Sequence, residues 1–150
     1  MSGTIWLRVT GIPKPGGSKT AFPHASTGRM VVIDACRGSK AWKNLVAAEA
    51  RKKIPRPLKG PVYVAMTFYL PRPKVHYNKS RTALSRSAPE YPAVRPDVLK
   101  LARSTEDALT GIAWLDDSQI VDECVRKRYS DDPSAYIEIR QKDANPLDDR

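Results

Sequence analysis

Three aspartates and one arginine between residues 95 and 119 are the side chains best suited to metal-assisted chemistry. Asp97 precedes a helical pattern, Arg103 lies within it, and Asp116 and Asp117 follow it. Carboxylates hold hard cations such as Mg²⁺, which activate a water and stabilise the leaving oxygen of a phosphodiester. A neighbouring cation can stabilise the developing charge. Asp97, Asp117 and Arg103 are therefore the right residue types for this chemistry.

Each of these acids also has an ordinary structural explanation. A carboxylate at a helix start caps free N–H groups and suits the helix dipole, which accounts for Asp97 equally well. Aspartate pairs are common in turns, so Asp116 either shares the metal or shapes the turn. The spacing along the chain leaves both interpretations open.

The charge balance favours a polyanionic partner. The 150 residues include 26 Lys and Arg against 16 Asp and Glu, which gives a net charge of +10 and a pI near 9.8. Such an excess is typical of proteins that bind nucleic acid, with simple solubility as the alternative.

The rest of the composition excludes several classes of protein. Cys36 and Cys124 lie far apart without metal-ligand spacing, which indicates reduced thiols and argues against a zinc site. No apolar run approaches the ~20 residues that span a bilayer. The N-terminus lacks the layout of a signal peptide. We therefore expect a cytoplasmic protein with no membrane partner.

Hydrophobic periodicity predicts an α+β fold. Strands are expected over 4–10, 30–33, 61–70, 118–129 and 136–140, and helices over 39–53 and 97–110. The stretch 61–70 is apolar on both faces and should lie inside the sheet, while a turn over 130–133 makes the last two strands partners. We expect one domain over 1–142, a mixed sheet of about four to five strands with two main helices packed on it, and a flexible tail over 143–150.

The inward faces of several elements can also be read from the pattern. Ser39 is the expected N-cap of the first helix, whose inward stripe is Trp42, Leu45, Val46 and Ala50. The stripe of the second helix consists of Val98, Leu101, Ala102, Thr105, Ala108, Leu109 and Ile112. In the strand 118–129, Ile120 and Cys124 are expected on one side.

Two basic segments are candidates for contact with DNA phosphates. Residues 11–19 form a glycine-rich loop that does not fit the P-loop pattern. Residues 71–96 form a long connection whose tyrosines, Tyr77 and Tyr91, could stack on bases, although a mobile insertion that is basic for solubility is the alternative. The predicted DNA-binding residues are Lys14, Lys19, Arg72, Lys74, Lys79, Arg81, Arg86, Arg95 and Lys100.

A combination of motifs resembles a known family. An aspartate near a helix start, then Asp107-Ala108-Leu109-Thr110, then Trp114 through Asp122 is similar to the RusA family of crossover-junction endodeoxyribonucleases. The turn Gly11-Ile12-Pro13-Lys14-Pro15 resembles its phage-type members, and the likeness extends over roughly residues 4–140. It implies a homodimer that uses Mg²⁺, with Mn²⁺ able to substitute, and resolves four-way (Holliday) junctions by symmetric nicks. Such an enzyme acts in DNA recombination and repair in a bacterial or phage-infected cytoplasm.

The resemblance also implies a ligand set from which this chain departs. The family places an acidic cluster at positions matching Asp97, Leu99 and Asp117, and a lysine at the position of Arg103. Leu99 therefore removes a carboxylate. Arg103 keeps the charge but lacks the compact ammonium group.

Two acids further along the helix are candidate replacements. Glu106 shares the face of Leu99 but is ~10 Å of helical rise away, and Asp107 follows it. We expect a Mg²⁺-dependent structure-selective DNA endonuclease. In it, Asp97 and Asp117 would hold metal, Asp116 would assist, and Arg103 would stabilise the transition state. The alternative is a branched-DNA or other nucleic-acid binding protein whose catalysis is weakened or lost through Leu99. A basic structural protein of a ribonucleoprotein is a third hypothesis.

Overall fold

A computed structural model describes residues 3–17, 19–34 and 36–143 of the chain. The helices and strands are β1 (Ile5–Thr10), β2 (Lys19–Pro23), β3 (Met30–Asp34), α1 (Ser39–Lys53), β4 (Val62–Leu70), α2 (Val98–Leu109), β5 (Ile120–Tyr129) and β6 (Ser134–Gln141). Within these residues neither helix has the length and apolar character needed to cross a membrane. Of the predicted tail, only Asp143 lies inside the described residues.

The main sheet has the strand order β1-β6-β4-β5. β4 is parallel to β5 and antiparallel to β6, and β1 is antiparallel to β6, so the sheet is mixed. β2 and β3 form a separate two-stranded hairpin. The prediction of an α+β fold with a mixed sheet and two helices is confirmed.

The pairing of the last two strands differs from the prediction. The turn 130–133 carries β6 to the other side of β4, and Ser130 donates its N–H to the Leu70 carbonyl at 2.9 Å. β6 contributes three fully buried side chains, Ala135, Ile137 and Ile139, which suit a central strand. β5 carries five charged residues, three of them in succession over 126–128, and suits an edge. The predicted hairpin between them is therefore wrong.

One face of the sheet forms the core with both helices. In α1, Trp42, Val46 and Ala50 are buried, and Trp42 donates its indole N–H to the Thr105 hydroxyl of α2 at 3.2 Å. Leu45, predicted inward, is 45% exposed. The buried residues follow an i, i+4, i+8 row, and Leu45 lies at its margin beside Gly11.

The two helices begin differently from the predictions. Gly38, in the left-handed region with φ 88°, is the N-cap of α1, and Ser39 is the first helical residue. Asp97 is the N-cap of α2, but its side chain accepts no capping hydrogen bond. The inward stripe of α2 is confirmed, with Leu101, Ala102, Thr105 and Leu109 buried.

A bulge at the start of β5 changes which way its side chains face. Ile120 pairs with Val62 but Asp122 pairs with Tyr63, so Val121 is an extra residue. Ile120 therefore packs against the core whereas Cys124 pairs with Ala65 on the opposite face, and the prediction that they share a side is wrong. The same shift turns Glu123, paired with buried Val64, toward the helices.

Candidate active site

Helix α2 separates the two predicted metal ligands, Asp97 and Asp117. Asp97 immediately precedes the helix, whereas the Asp117 carboxylate contacts the hydroxyl of Thr110, the residue that ends it. Thirteen residues of helical rise separate Asp97 from Thr110, which corresponds to about 20 Å. Carboxylate oxygens must lie within roughly 2.0–2.6 Å of a bound Mg²⁺ or Ca²⁺. One chain therefore does not bring Asp97 and Asp117 to the same ion.

The N-terminal end of α2 opens onto a cavity. Asp97 lines a space of about 650 Å³ together with the three cations Lys14, Arg95 and Lys100. Prolines form much of the remaining wall, which limits backbone freedom there. The loop that carries Lys14 is fastened to α2, since Gly16 donates its N–H to the Lys100 carbonyl at 2.9 Å. This end can bind a phosphate group next to a carboxylate.

Arg103 lies between the two ends of α2. Its side chain is exposed and runs along the loop residue Gly17, where an added Cβ would lie 3.5 Å from the Arg103 Cδ. Leu99, one turn earlier, is 68% exposed and packs on no core residue. Both positions therefore face outward, as the helical periodicity predicts.

The C-terminal end of α2 holds Asp117 in a fixed orientation. Trp114 donates its indole N–H to Asp117 Oδ1 at 3.2 Å, and the Thr110 hydroxyl contacts the same oxygen. Trp114 is fully buried. The core therefore positions this carboxylate, although its other oxygen has no protein hydrogen bond in the described residues.

Asp116 has a capping role in the turn between α2 and β5. Its carboxylate accepts a hydrogen bond from the backbone N–H of Ser118 at 2.8 Å. In return, the backbone N–H of Asp116 donates to the side-chain oxygen of Gln119 at 3.1 Å. The hydrogen bonds from Ser118 lower the pKa of Asp116 below its ordinary value. This reciprocal cap fixes the turn that presents Asp117.

Two glutamates lie beside Asp117. Burial, a hydrogen bond with Glu123, and the charges of Glu123, Asp117 and Asp107 raise the pKa of Glu106 from 4.5 to about 8. Glu123 comes from β5 and was not predicted as a site residue, because its direction depends on the bulge at Val121. Glu106, predicted as a replacement at Leu99, instead belongs to the Asp117 end.

The structure also shows the surroundings of Asp107, the other candidate replacement, and of the predicted DNA-binding residues. Asp107 forms an ion pair with Lys43 at 3.6 Å. Arg72 donates to the Pro89 carbonyl at 2.7 Å and stacks over the Tyr129 ring at 4.5 Å, so it braces the 71–97 loop. The exposed predicted DNA-binding residues outside the cavity are Lys19, Lys74, Lys79, Arg81 and Arg86.

The loop 71–97 has structure of its own. Tyr77 and Leu84 form an isolated bridge, and the Tyr77 hydroxyl donates to Asp131 at 2.8 Å, which raises the pKa of Tyr77. Tyr91 lies beneath the Arg128 guanidinium at 5.0 Å. Both tyrosines predicted to stack on bases therefore have partners within the protein.

A family model described as "Endodeoxyribonuclease RusA" matches residues 14–140. The chain belongs to the RusA family. It is also 34% identical over 108 residues to a protein of Bacillus subtilis (strain 168) named "Uncharacterized protein YqaN", an alignment that covers 71% of this chain and 76% of the relative. The family match includes α2 and both of its ends, so the predicted resemblance is confirmed.

Nucleases of the RusA family depend on divalent metal ions, and the donor chemistry here suits such an ion. Burial, the hydrogen bond with Glu123 and the neighbouring charges, including that of Asp117, raise the pKa of Glu106 to about 8, so Glu106 keeps a proton at neutral pH. A divalent cation could take the place of that proton. However, among the described residues no three His, Cys, Asp or Glu side chains are arranged to hold a metal by themselves.

Proposed function

We propose that this protein is a Mg²⁺-dependent endonuclease that resolves four-way DNA junctions as a homodimer, by paired symmetric nicks in recombination and repair. Mn²⁺ would substitute for Mg²⁺. The observation that supports this most directly is the match to the RusA family over residues 14–140, in which Asp97 and Asp117 remain at the two ends of α2.

The separation of these two carboxylates supports a site built from two copies. Two α2 helices that run antiparallel across a twofold axis would place Asp97 of one copy beside Asp117 of the other. Such an axis creates two equivalent sites. Two equivalent sites are what symmetric nicking of two strands requires. A single copy, in which about 20 Å of helical rise separates Asp97 from Thr110, would have no complete site.

Each end of α2 would contribute a different part of the chemistry. Asp97 and Asp117 would hold the Mg²⁺, which would supply a nucleophilic water and neutralise the leaving oxygen. The cations Lys14, Arg95 and Lys100 would hold the phosphate beside Asp97, and the exposed Arg103 would stabilise charge on the phosphorus oxygens.

The carboxyl groups at the Asp117 end have distinct tasks in this proposal. Trp114 and Thr110 orient Asp117, while Asp116 holds the turn or shares the metal. Glu106, which keeps a proton up to about pH 8 beside Glu123, would release it when the cation binds.

Leu99 supports a second candidate function, that of a branched-DNA binding protein with weakened or lost catalysis. The side chain is 68% exposed and supplies no oxygen where the family places a carboxylate. The two functions share the basic surface and differ only in the carboxylate set.

Incubation with a labelled four-way junction distinguishes these functions. We expect paired nicks in Mg²⁺ or Mn²⁺ from the wild-type protein, none with a chelator, and binding without nicks from Asp117→Asn. Junction binding by the wild type without product in either metal would contradict the nuclease and favour the binding protein. Equal affinity for linear duplex and junction would contradict both and favour a general structural role.

A further inference from the structure

The face of the main sheet that points away from both helices is rich in aromatic and arginine side chains. Residues that alternate with the buried ones must point to this outward face. They include Trp6 and Arg8 of β1, Tyr63 and Tyr69 of β4, Arg126 and Arg128 of β5, and Tyr136 and Arg140 of β6, together with two carboxylates, Asp122 and Glu138. In the described part of the chain, both helices pack on the opposite face, where the core lies.

The aromatic side chains are neighbours across the strands. Trp6 is 56% exposed and Tyr136 is 42% exposed, although both belong to strands whose intervening residues are fully buried. Tyr69 meets the Tyr136 ring edge-on, with 5.6 Å between the ring centroids. Register places Arg8 opposite Tyr136 and Arg140 opposite Tyr63. Tyr69 and Tyr136 are therefore in contact, and Trp6 and Tyr63 lie on the same face of the sheet.

Arginines lie over two of these rings. The Arg140 guanidinium is 4.2 Å from the centre of the Tyr63 ring, and that of Arg8 is 5.6 Å from the centre of the Tyr136 ring. Each also has a carboxylate partner, Glu138 for Arg140 and Asp132 for Arg8. Arg8 and Asp132 are both exposed, whereas Glu138 is 20% exposed. An exposed ion pair holds its guanidinium group only weakly. The planar cations can therefore move aside when another planar group competes for the ring.

We propose that this outward face is a binding platform for single-stranded nucleic acid. Unpaired bases would stack on Trp6, Tyr136 and Tyr63, because every base offers a π face to an aromatic ring. Arg8 and Arg140 would leave the rings and contact the phosphates, to which a guanidinium can donate two hydrogen bonds. Arg126 and Arg128 extend the positive charge along β5.

This platform is separate from the proposed nuclease site. The carboxylates and the cavity lie at the ends of α2, on the helix side of the sheet. A duplex has no exposed base faces, so the platform would select unpaired strands. It would add affinity for a partly unpaired strand without taking part in cleavage, and it does not depend on the nuclease proposal.

The chain contains its own reporter for this binding. Of its three tryptophans, Trp6 is exposed, whereas Trp42 and Trp114 are 1% and 0% exposed. Titration with an oligothymidylate should therefore quench the red-shifted part of the emission and leave the buried part unchanged. Trp6→Phe should remove that signal but keep the affinity, measured by anisotropy of a labelled oligonucleotide, because phenylalanine still stacks.

A matched pair of variants tests the location. Tyr136 and Phe22 are each 42% exposed, but Phe22 lies on the β2–β3 hairpin outside the platform. We expect Tyr136→Leu to weaken oligothymidylate binding about tenfold and Phe22→Leu to leave it unchanged. Affinity for blunt duplex should be the same in both variants.

Three results would overturn the proposal. One is equal affinity of the Tyr136→Leu and Phe22→Leu proteins for the oligonucleotide. The second is unchanged Trp6 emission at saturating oligonucleotide. The third is a concentration-dependent dimer, seen by sedimentation without nucleic acid, that Tyr136→Leu dissociates, since the platform would then be covered by a second copy of this chain. Near-ultraviolet circular dichroism of each variant confirms that it remains folded.

Discussion

Glu106 on α2 and Glu123 on β5 share a hydrogen bond beside Asp117, and this contact links the helix to the edge strand of the sheet. The three carboxyl groups compete for protons in a half-buried place. Because the pKa of Glu106 rises from 4.5 to about 8, the folded protein holds a proton that the unfolded chain releases at neutral pH. A divalent cation bound at Asp117 would favour the ionised form of Glu106 and so release that proton.

The first prediction concerns stability against pH. Since the folded state binds the extra proton, the contribution of Glu106 to stability is fully present below pH 4.5 and is lost as pH rises toward about 8. Glu106→Gln should flatten that decline, as measured by urea unfolding at several pH values across this window without metal. Glu49→Gln removes a glutamate that pairs with Lys52 on the surface and should leave the decline intact. The same decline in Glu106→Gln as in wild type would contradict the assignment.

The second prediction separates the two roles open to Asp116. Asparagine caps a turn about as well as aspartate, but it is a much poorer ligand for Mg²⁺. If Asp116 shapes the turn, Asp116→Asn keeps junction cleavage, while Asp116→Ala loses about 1 kcal/mol of stability and some cleavage. If Asp116 binds metal, both variants lose cleavage to a similar extent. Cleavage rate and urea midpoint, measured on each protein, distinguish the two.

The third prediction concerns the position where the family has a carboxylate and this chain has Leu99. Leu99→Asp should raise the rate of junction cleavage by about tenfold or more, since even residues outside a metal's ligand set change metal affinity about 10–100-fold. Leu99 is exposed, so stability should change little. Val75→Asp is the control, because Val75 is also exposed, at 83%, and lies in the 71–97 loop. An equal change of rate in both variants would mean that added charge alone is responsible.

The fourth prediction concerns the contact that fixes α2 against α1. The buried indole N–H of Trp42 donates to the Thr105 hydroxyl. Thr105→Val keeps the shape of the side chain but leaves that donor without its acceptor, which should cost about 1–3 kcal/mol in urea unfolding. Thr20→Val, on the exposed β2 strand, should change stability by less than about 0.5 kcal/mol. A Thr105→Val protein as stable as wild type would show that water replaces the hydroxyl.

Much of the fold could be predicted from the sequence because its elements have clear periods. The stripe of α2 from Val98 to Leu109 and the two apolar faces of β4 are local patterns, and the structure confirms both. Strand order is not local. β6 lies between β1 and β4, where Ala135, Ile137 and Ile139 are fully buried against the helices. A turn signal at 130–133 does not contain that information.

The candidate site likewise has features that the sequence could predict and features that it could not. Asp97 and Asp117 could be identified from the sequence as candidate ligands. How far apart the fold holds them could not, because that distance depends on where helix α2 begins and ends. Glu123 could not be predicted, since the extra residue Val121 reverses the alternation of β5. The hairpin strand Lys19–Pro23 was also missed, because it is short, fully exposed and ends in proline.

The fifth prediction follows from the proposal that Asp97 and Asp117 act across two copies. Asp97→Asn and Asp117→Asn should each abolish junction cleavage alone. Mixed together, they form heterodimers in which one site has both substituted residues and the other has both natural ones. Random exchange of subunits makes about half of the dimers heterodimers, each with one complete site, so the mixture should regain single nicks.

That complementation assay, with products of a labelled four-way junction resolved on a denaturing gel, tests the central claim most directly. The account predicts that the mixture nicks one strand per junction in Mg²⁺ while each variant alone nicks none. Mixing two samples of the same variant is the control. Failure of the mixture to cleave, when wild-type dimers exchange subunits and do cleave, would contradict a site shared between two copies.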